Sequence, residues 1–469
     1  MNNATIYDIL VIGMGPAGMA VSAMASAMGL RVAAIERDKI GGECLNVGCI
    51  PSKALLKAAE ARYTAANLAK YGIKPAGASS VKNPLALVRE KVRQVSGPKT
   101  LKMFEKVDMF LGAGTAEFID DHTVSVGGKA IQAKKIFIAT GTEPLVPPIP
   151  GIEKVPYLTN VNIFNENAIP PTLTIIGGGA IGAEMAQAFS RLGSRVTIAH
   201  NDAHLIPSGD AEAAAVLQER FEAEGITVLN GVTIEKIEKS GKTIRVFTNR
   251  GLIKSEKLLV AAGRKPVIDP LKLENAGVKH DSKKIPVDRF LRTSVKHIYA
   301  VGDVNGIALF SHAAMHQGMI ALMNALNPLP FKMRWDRYIV PWSVFTKPEF
   351  AHAGITEQEA VDRGIRHVVL KERYENYGRT IADGVSEGFV KVIATRWGRV
   401  LGATIVGESA SEMIHEWILA IEQRIGLAKI MMTQHSFPTI SLLNKRIAES
   451  WMMRKMASPL VQRIVKLLA

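Results

Sequence analysis

The sequence is poor in cysteine and has no long hydrophobic run. Its 469 residues include only two cysteines, Cys44 and Cys49, whereas a secreted disulfide scaffold would carry more. No stretch reaches the ~18 uninterrupted apolar residues of a membrane helix, and the start lacks the basic region and cleavage site of a signal peptide. We therefore expect a cytoplasmic protein whose two close thiols are catalytic, redox-sensing or metal-binding.

Acidic residues are also few. The 43 Asp and Glu residues face 58 Lys and Arg residues, which gives a formal net charge of +15. Such a balance is compatible with nucleic acid, an acidic membrane surface or anionic ligands. Zinc-finger spacing and an aromatic-plus-basic stripe are both missing, so no nucleic-acid partner is expected. The length and the 47% of hydrophobic residues predict a basic but ordinary enzyme of roughly two to four domains.

Two segments share one pattern: a short apolar strand, a glycine-rich turn and a helix. The strands are residues 8–12 and, 164 residues later, 172–176. In such turns the first glycine bends the chain, the second lets the backbone approach a pyrophosphate, and the third lets the helix pack on the strand. Free N–H groups at the helix N-terminus then attract phosphate. The glycines of the two predicted dinucleotide sites are Gly13, Gly15 and Gly18, and Gly177, Gly179 and Gly182.

The end of the next strand in each copy is where such folds contact a ribose. Glu36 follows Gly18 by 18 residues in the first copy and is suited to bonding ribose hydroxyls. The second copy has His200 there, where an NAD site prefers an acid and an NADP site usually offers Arg. The choice between NADH and NADPH stays open, and His200 is either a phosphate contact or a surface histidine.

Both cysteines lie in the segment 41–53, which reads GGECLNVGCIPSK. Pro51 suits the start of a helix, so Cys49 is predicted just before a helix N-terminus, where the thiolate is favoured. A loop containing Gly48 can bring Cys44 back to Cys49. A short disulfide loop adds little stability, so such a bond would serve chemistry. The alternatives are two buried reduced thiols or half of a metal site, but no His or Cys at zinc spacing supports a metal.

With these motifs, the whole chain resembles the flavoprotein pyridine nucleotide-disulfide oxidoreductases, the group of dihydrolipoamide dehydrogenase, mercuric reductase and glutathione reductase. The pattern GGxCxNxGCxPSK is highly specific to that family and is complete here. Further matching segments are Ala139-Thr140-Gly141, Ala262-Gly263-Arg264, 299–303, His312-Ala313-Ala314, 341–346 and 401–407.

The resemblance implies FAD and NAD(P)H as cofactors. Cys44 would be the exchange thiol that faces the substrate, and Cys49 the thiolate beside the flavin. Lys53 and Glu184 would lie near the flavin and nicotinamide and could pair, although each has an alternative as a plain surface charge. The residues implied for FAD are Gly13, Gly15, Gly18, Glu36, Gly42, Lys53, Ala139, Thr140, Gly141, Asp303 and Ala313. Those implied for NAD(P)H are Gly177, Gly179, Gly182 and Gly263.

The same resemblance predicts an α/β fold with two Rossmann-like domains, for FAD and for NAD(P), plus a C-terminal α+β dimerisation domain. We expect the FAD domain in two parts, 1–146 and 267–337. The NAD(P) domain is expected between them at 147–266, and the dimerisation domain at 338–469. The protein is expected to be a homodimer.

One family motif is changed. The family carries His-Pro-Thr-x-Ser-Glu near its end, and that His is the acid/base for dithiol exchange. Here Phe437 and Leu442 stand at the His and Glu positions, and neither carries a proton. General acid–base help contributes roughly 10²–10⁴-fold, so we expect slow lipoamide or glutathione turnover. We therefore expect an acceptor that needs no proton at that point, such as a metal ion, a quinone or a small electrophile.

Two alternatives remain at this stage. His435, two residues before Phe437, could replace the missing acid/base, and the protein would then be a genuine dihydrolipoyl dehydrogenase. Otherwise His435 only packs or hydrogen-bonds at the dimer interface. The other alternative is a low-turnover redox sensor or scaffold that binds flavin.

The C-terminal tail is basic and amphipathic. Arg463 and Lys466 interrupt an apolar stripe at near-helical spacing. Such a helix can lie on an anionic membrane surface or pack on the enzyme's own body. We favour packing, with peripheral contact to the inner membrane surface as the alternative. The stripe consists of Leu460, Val461, Ile464, Val465, Leu467 and Leu468.

Overall fold

The computed structural model describes residues 6–74 and 83–468. The α-helices are α1 Pro16–Ala27, α2 Gly42–Asn46, α3 Cys49–Ala66, α4 Pro84–Val95, α5 Pro98–Lys102, α6 Ala180–Arg191, α7 Ala211–Ala223, α8 Ser311–Leu326, α9 Glu357–Asp362, α10 Gly378–Ala382, α11 Ala410–Glu422, α12 Leu427–Met432, α13 Leu442–Met456 and α14 Pro459–Leu468. In these two ranges, no helix has both the length and the hydropathy of a membrane span.

The β-strands include two runs of seven that no α-helix interrupts, one between α5 and α6 and one between α7 and α8. They are β1 Ile6–Ile12, β2 Val32–Glu36, β3 Val107–Leu111, β4 Glu117–Phe118, β5 Thr123–Val126, β6 Lys129–Ile138, β7 Thr142–Pro144, β8 Tyr157–Leu158, β9 Thr172–Ile176, β10 Arg195–Ala199, β11 Thr227–Leu229, β12 Ile234–Ser240, β13 Thr243–Thr248, β14 Gly251–Ser255, β15 Lys257–Val260, β16 Arg264–Pro266, β17 Ile298–Ala300, β18 Trp342–Val344, β19 Glu349–Gly354, β20 Val368–Arg373, β21 Phe389–Ala394 and β22 Val400–Gly407.

The chain divides into two compact units, each made of segments that are distant in sequence. The first unit comprises Met1–Pro171, Glu238–Ile244 and Glu256–Tyr338. The second unit comprises Thr172–Ile237, Arg245–Ser255 and Ile339–Ala469.

The first unit is built on a seven-stranded sheet in the order β3-β2-β1-β6-β5-β4, with β17 also paired to β6. The strands β3, β2, β1, β6 and β17 are parallel, whereas β4 and β5 are antiparallel additions. Along β1, Ile9 and Val11 join one buried apolar cluster, and Leu10 and Ile12 join the other. Because both faces are covered along residues 9–12, every residue of that part of β1 is apolar. This parallel sheet is the core of the Rossmann-like α/β fold that the sequence predicts.

Helices α1 and α8 pack together on this sheet. They approach closely because Gly318 has no side chain: a Cβ there would lie 2.8 Å from the Ala17 carbonyl oxygen. On the buried face of α8, the side-chain oxygen Oε1 of Gln317 accepts hydrogen bonds from the Gly302 N–H (2.8 Å) and the Asn305 side-chain amide (2.7 Å). These bonds fix the turn that carries Asp303, at the carboxyl end of β17.

The second unit contains a parallel ladder of β9, β10 and β11, with α6 connecting β9 to β10. It also contains an antiparallel sheet in the order β18-β19-β22-β21-β20. In the cluster on that sheet, Trp417 of α11 is fully buried, and its indole N–H donates to the side-chain Oδ1 of Asn444 on α13 (2.8 Å). Sheet and helices together give the α+β character that was expected after residue 338.

The tail helix α14 carries both partly buried and exposed apolar side chains. Val461 is half-buried, whereas Val465 is 55% exposed and Leu467 is 85% exposed, so the expected packing does not include these last two side chains. Leu460, Ile464 and Leu468 lie outside the described side chains. The helix itself was correctly predicted.

Candidate active site

The first glycine-rich turn has the geometry of a phosphate cradle. Gly13 has a φ of +96°, and a Cβ there would lie 2.5 Å from the Ala139 carbonyl oxygen. A Cβ on Gly18 would lie 1.8 Å from the Gly13 carbonyl oxygen, so α1 packs directly on the turn. At Gly15, by contrast, a Cβ would meet no atom within 4 Å. The turn therefore leaves space beside the N-terminus of α1, where a pyrophosphate fits.

Glu36 ends β2 and is buried beside this turn. Its Oε2 accepts from the Met14 N–H (2.8 Å) and its Oε1 from the Asp38 N–H (2.8 Å). The two bonds fix the orientation of the carboxylate, and each oxygen keeps a free lone pair. Glu36 can therefore accept bonds from the two hydroxyls of a ribose.

Asp303 lies in a group of polar side chains at the same edge of the sheet. The Thr142 hydroxyl donates to Asp303 Oδ2 (3.1 Å), and Arg264 Nε donates to that hydroxyl (2.7 Å). Burial raises the pKa of Asp303, and the Arg264 guanidinium opposes the rise. Arg264 also forms an ion pair with Glu43, next to Cys44. Sequence reasoning missed Thr142 and Glu43, although each adjoins a motif that it had identified.

The cysteines are held by two consecutive helices. Cys44 lies in the short helix α2, and Cys49 is the first residue of α3. The predicted start at Pro51 was therefore two residues late, and Cys44 lies in a helix rather than in a loop. Gly48 joins the helices, and a Cβ there would lie 2.9 Å from the Glu43 carbonyl oxygen. Only glycine allows α2 to fold back so closely.

The two thiols are reduced, half-buried and in contact. A hydrogen bond with Cys49, burial and the charge of Cys49 raise the pKa of Cys44, whereas Ser311 and Lys53 act in the opposite direction. Cys49 Sγ lies 3.3 Å from Ser311 Oγ at the N-terminus of α8. Because Cys49 also begins α3, that helix N-terminus favours its thiolate. The raised pKa of Cys44 keeps the proton on that thiol, and the role of Cys49 as the thiolate stays a prediction.

Other predicted cofactor residues lie beside the first turn or next to Ser311. Gly42 packs against the turn, since a Cβ there would lie 2.9 Å from Gly15 Cα. The Thr140 hydroxyl donates to the Val267 carbonyl (2.8 Å), and Gly141 has a φ of +67°. Ala313 is buried in α8, two residues after Ser311. The structure thus brings the first glycine-rich turn and the cysteines into one site.

The second glycine-rich turn repeats the first. Gly177 has a φ of +116°, a Cβ on Gly182 would lie 2.0 Å from the Gly177 carbonyl oxygen, and Gly179 again faces open space. His200 is only 4% exposed, so it is not the surface histidine that we considered. Its ring lies under Gly178, and its Nε2 is 2.7 Å from Asn230 Oδ1. His200 thus packs beneath the second turn, at the strand end where the first copy has Glu36.

Two predicted residues of the nucleotide site have local roles. Glu184 is buried on α6, and its Oε1 accepts from the Phe345 N–H (3.1 Å). Gly263 has a φ of +133° and its carbonyl accepts from the Leu145 N–H (2.9 Å). Lys53 and Glu184 belong to different units, and their pairing stays a prediction.

The changed C-terminal motif has an unexpected arrangement. Phe437 is 80% exposed, whereas the His435 side chain is buried. His435 Nε2 lies 3.0 Å from Glu416 Oε1, and Nδ1 lies 3.2 Å from the Thr433 carbonyl. Asn444 donates to the other oxygen of Glu416 (3.0 Å). Both nitrogens of His435 therefore face oxygen atoms of their own unit.

Family models match most of the chain. Residues 7–318 match the pyridine nucleotide-disulphide oxidoreductase model, and residues 340–446 match the dimerisation domain of the same family. A mercuric reductase of Staphylococcus aureus is 34% identical, over 89% of this chain and 77% of that protein. A dihydrolipoyl dehydrogenase of Thermus scotoductus is 36% identical, over 93% of this chain and 95% of that protein.

Solved structures give the same result. The HOCl-induced flavoprotein disulfide reductase RclA from Escherichia coli, in its Cu(II) complex, superposes with a TM-score of 0.85 at 28% identity. The match covers 95% of this chain and 99% of that chain. The chain therefore belongs to the pyridine nucleotide-disulphide oxidoreductases, flavin-dependent enzymes that use FAD, NAD(P)H and a redox-active disulfide.

Proposed function

We propose that this protein is a reductase that passes electrons from NAD(P)H through Cys44 and Cys49 to an acceptor requiring no proton at Phe437. The observation that carries the proposal is the contact between the two thiols at the N-terminus of α3. One thiol holds a proton and its neighbour favours the thiolate, which is the state that a reduced exchange pair needs.

The cofactor assignments follow the geometry of the turns. FAD held at the first turn supplies a two-electron carrier between NAD(P)H and the cysteines. We assign its binding to Gly13, Gly15, Gly18, Glu36, Gly42, Lys53, Ala139, Thr140, Gly141, Asp303 and Ala313. We assign NAD(P)H to Gly177, Gly179, Gly182 and Gly263, with Glu184 nearby.

These assignments also define the proposed domains. Residues 1–146 and 267–337 form the FAD domain, and 147–266 form the NAD(P) domain. Residues 338–469 form the dimerisation domain, and we propose a homodimer because residues 340–446 match the family's dimerisation model.

The cysteine step is balanced with one hydride equivalent. Two electrons and one proton from NAD(P)H break the Cys44–Cys49 bond, leaving a thiol on Cys44 and a thiolate on Cys49. Cys44 faces the acceptor in this scheme. Donation of both electrons to an acceptor reforms the bond and releases the proton of Cys44. Two one-electron metal ions, or one two-electron acceptor, complete the cycle.

Among these acceptors we favour a metal ion. Phe437 and Leu442 offer no proton, and a metal ion does not need one. Relatives named mercuric reductase and a Cu(II) complex among the solved neighbours support this class. A quinone or a small electrophile meets the same requirement. With only two cysteines in the chain, the metal would react at Cys44 and Cys49 without help from further thiols.

A genuine dihydrolipoyl dehydrogenase is the alternative within the family. Several relatives carry that name, and His435 would then act as the acid/base. The contacts of His435 with Glu416 and the Thr433 carbonyl argue against it, because both ring nitrogens are engaged. A redox sensor with little turnover is the remaining alternative.

An anaerobic titration tests the proposal. Addition of NADH, and separately NADPH, to the purified holoprotein should bleach the flavin and then produce a long-wavelength thiolate–flavin band. The reduced protein is next offered Cu(II), Hg(II), a soluble quinone and lipoamide. Reoxidation by the metal ions or the quinone, with slow turnover of lipoamide, is expected. Rapid dihydrolipoamide turnover would contradict the proposed acceptor, and an inert flavin would support the sensor.

We also propose that α14 contacts the inner, anionic surface of a membrane, so that the protein is cytoplasmic and peripheral. The tail lies beyond the family dimerisation model, which ends at residue 446. Residues 450–469 contain four cations and no Asp or Glu. Exposed Val465 and Leu467 and this charge are the features of an interfacial helix.

Vesicle flotation tests this contact. The full chain should float with vesicles that contain phosphatidylglycerol. With vesicles of pure phosphatidylcholine it should remain in the bottom fraction. A variant ending at Ser458 should lose flotation but keep flavin reduction by NADH. Equal flotation of the shortened and full chains would contradict the role of α14.

A further inference from the structure

A cationic cavity lies in the first unit. Its volume is about 460 Å³, within the usual range for small-molecule sites. Phe290 and Tyr299 contribute aromatic surface, and the remaining walls are mostly polar or cationic. No acidic side chain is among the described residues that line it. The cationic lining residues are Lys135, Arg292, Lys296 and Lys332.

The cavity is separate from the cysteine site. Lys135 lies on β6, and Ala139, which follows the end of that strand, is four residues later. Four extended residues span about 13 Å. On α8, Asn324 lines the cavity and Ser311 contacts Cys49, and these residues are about 20 Å apart along the helix. A ligand in the cavity would therefore touch neither the glycine-rich turn nor the thiols.

Two of the four cations already have partners. The Lys332 ammonium donates to the carbonyl oxygens of Asn324 (2.9 Å) and Asn327, where α8 ends. Arg292 pairs with Asp288 (2.7 Å). Its guanidinium also lies 5.2 Å from the centre of the Phe290 ring. These two cations stabilise the walls of the cavity.

The other two cations, Lys135 and Lys296, have no ion pair or hydrogen bond with the part of the chain that the structure describes. They leave the cavity with two uncompensated positive charges. Lys134, the neighbour of Lys135 on β6, differs: its ammonium is bonded to Asp8 (2.7 Å). On β6, Lys135 thus contributes an unpaired positive charge to the cavity, whereas the charge of Lys134 is neutralised by Asp8.

A tyrosine in the wall offers the cavity a hydrogen-bond donor. Tyr299 as a whole is only 4% exposed, and its ring stacks on Phe137 with 5.0 Å between centroids. Its side chain lines the cavity, and its hydroxyl has no hydrogen-bond partner among the described residues, so the hydroxyl is available to a ligand. Burial raises the pKa of Tyr299, so the hydroxyl keeps its proton and can donate it in a hydrogen bond.

We propose that this cavity binds a small phosphate ester, with the phosphate between Lys135 and Lys296 and hydrogen-bonded to the Tyr299 hydroxyl. A phosphate monoester carries about −1.5 to −2 at neutral pH, which matches two free ammonium groups. The organic part of the ester would pack against the Phe290 ring. The ligand would bind apart from the cysteine site and would take no part in the redox reaction.

Calorimetric titration of the full-length holoprotein tests the proposal with ribose 5-phosphate as the probe and ribose as the uncharged control. Saturable binding is expected for the phosphate ester and none for ribose. The double variant Lys135→Gln/Lys296→Gln should weaken binding at least tenfold, and Tyr299→Phe should weaken it several-fold. The matched variant Lys134→Gln should bind like the wild type.

Two results would overturn the site. One is the absence of saturable binding by ribose 5-phosphate to the wild-type protein. The other is unchanged binding in the Lys135→Gln/Lys296→Gln variant, which would place the phosphate elsewhere, for example at a glycine-rich turn. Circular dichroism and the flavin spectrum of each variant establish that the fold and the bound FAD are retained.

Discussion

Cys44 and Cys49 lie in different helices although only four residues separate them in the sequence. Cys49 begins α3, whereas Cys44 lies in α2 and is hydrogen-bonded to Cys49. Loss of a proton from Cys49 therefore makes loss of a second proton from Cys44 harder, because two thiolates would then be in contact. This asymmetry is a property of individual side chains and is open to direct measurement.

Replacement of Cys49 should change how Cys44 titrates. In the reduced wild type, the pKa of Cys44 is raised above the usual thiol value, so Cys44 stays protonated until the pH exceeds that value. In Cys49→Ser the main causes of the rise are gone, and Cys44 should lose its proton at lower pH. Thiolate absorbance near 240 nm against pH measures this, with Cys44→Ser as the matched control. An unchanged Cys44 titration in Cys49→Ser would contradict the coupling.

The missing acid/base can be restored. Phe437 is exposed, so a histidine fits there without displacing the core, and Leu442 begins α13. The double variant Phe437→His/Leu442→Glu should raise dihydrolipoamide turnover at least about tenfold, since general acid–base help is worth roughly 10²–10⁴-fold. Steady-state assays compare it with Phe437→Ala/Leu442→Glu, which supplies no imidazole. Equal rates would show that proton transfer does not limit turnover.

At the scale of elements, each glycine-rich turn joins a strand to a helix under different steric demands at each glycine. Gly18 and Gly182 touch the backbone of the preceding turn, whereas Gly15 and Gly179 face open space. One set of glycines therefore holds the fold, and the other keeps room for phosphate. Substitutions can separate the two roles.

Alanine at Gly15 and alanine at Gly18 should behave differently. Gly18→Ala places a methyl group 1.8 Å from the Gly13 carbonyl oxygen, and overpacking of this kind costs about 1–3 kcal/mol or more. Gly15→Ala meets no protein atom, so the apoprotein should keep its stability while FAD affinity falls. Denaturant unfolding of the apoproteins and fluorescence titration with FAD measure both quantities. Equal FAD affinity in Gly15→Ala and the wild type would place the pyrophosphate elsewhere.

At the scale of the whole molecule, long-range contacts hold distant segments in one unit. In the second unit, Lys391 of β21 is 7% exposed and pairs with Asp210 (2.9 Å), Glu212 (3.0 Å) and Glu357 (3.2 Å). Asp210 also caps α7 through the Ala213 N–H (3.1 Å). One ammonium thus links a helix near residue 210 to a sheet near residue 390.

Loss of Lys391 should destabilise this unit strongly. Lys391→Met leaves the carboxylate of buried Asp210 without its cation, which costs about 3–5 kcal/mol. Lys371→Met removes an outer partner of Glu212 and should cost about 1 kcal/mol or less. Denaturant unfolding of the two holoproteins at neutral pH gives the comparison. Equal losses would show that burial does not distinguish the pairs.

The effect of Lys391→Met should depend on pH. Burial alone would raise the pKa of Glu212, but hydrogen bonds from Lys371 and Lys391 lower it below the usual value. A carboxyl with a lowered pKa contributes stability above its unfolded pKa and loses it as the pH falls through the folded pKa. The stability difference between wild type and variant should therefore shrink in acid. A constant difference from neutral to acid pH would contradict this account.

The sequence by itself determined the local chemistry. Residues 41–53 and the two glycine-rich turns predicted the family, the cofactors and the cysteine pair, because each depends on residues that are neighbours in the chain. Short apolar strands that run into glycine-rich turns and helices likewise predicted the Rossmann-like α/β fold. Only the tertiary structure placed Ser311 on Cys49, Arg264 beside Asp303 and Glu43, and His435 on Glu416. Those contacts join segments far apart in sequence, and side-chain packing, which leaves no local pattern, decides them.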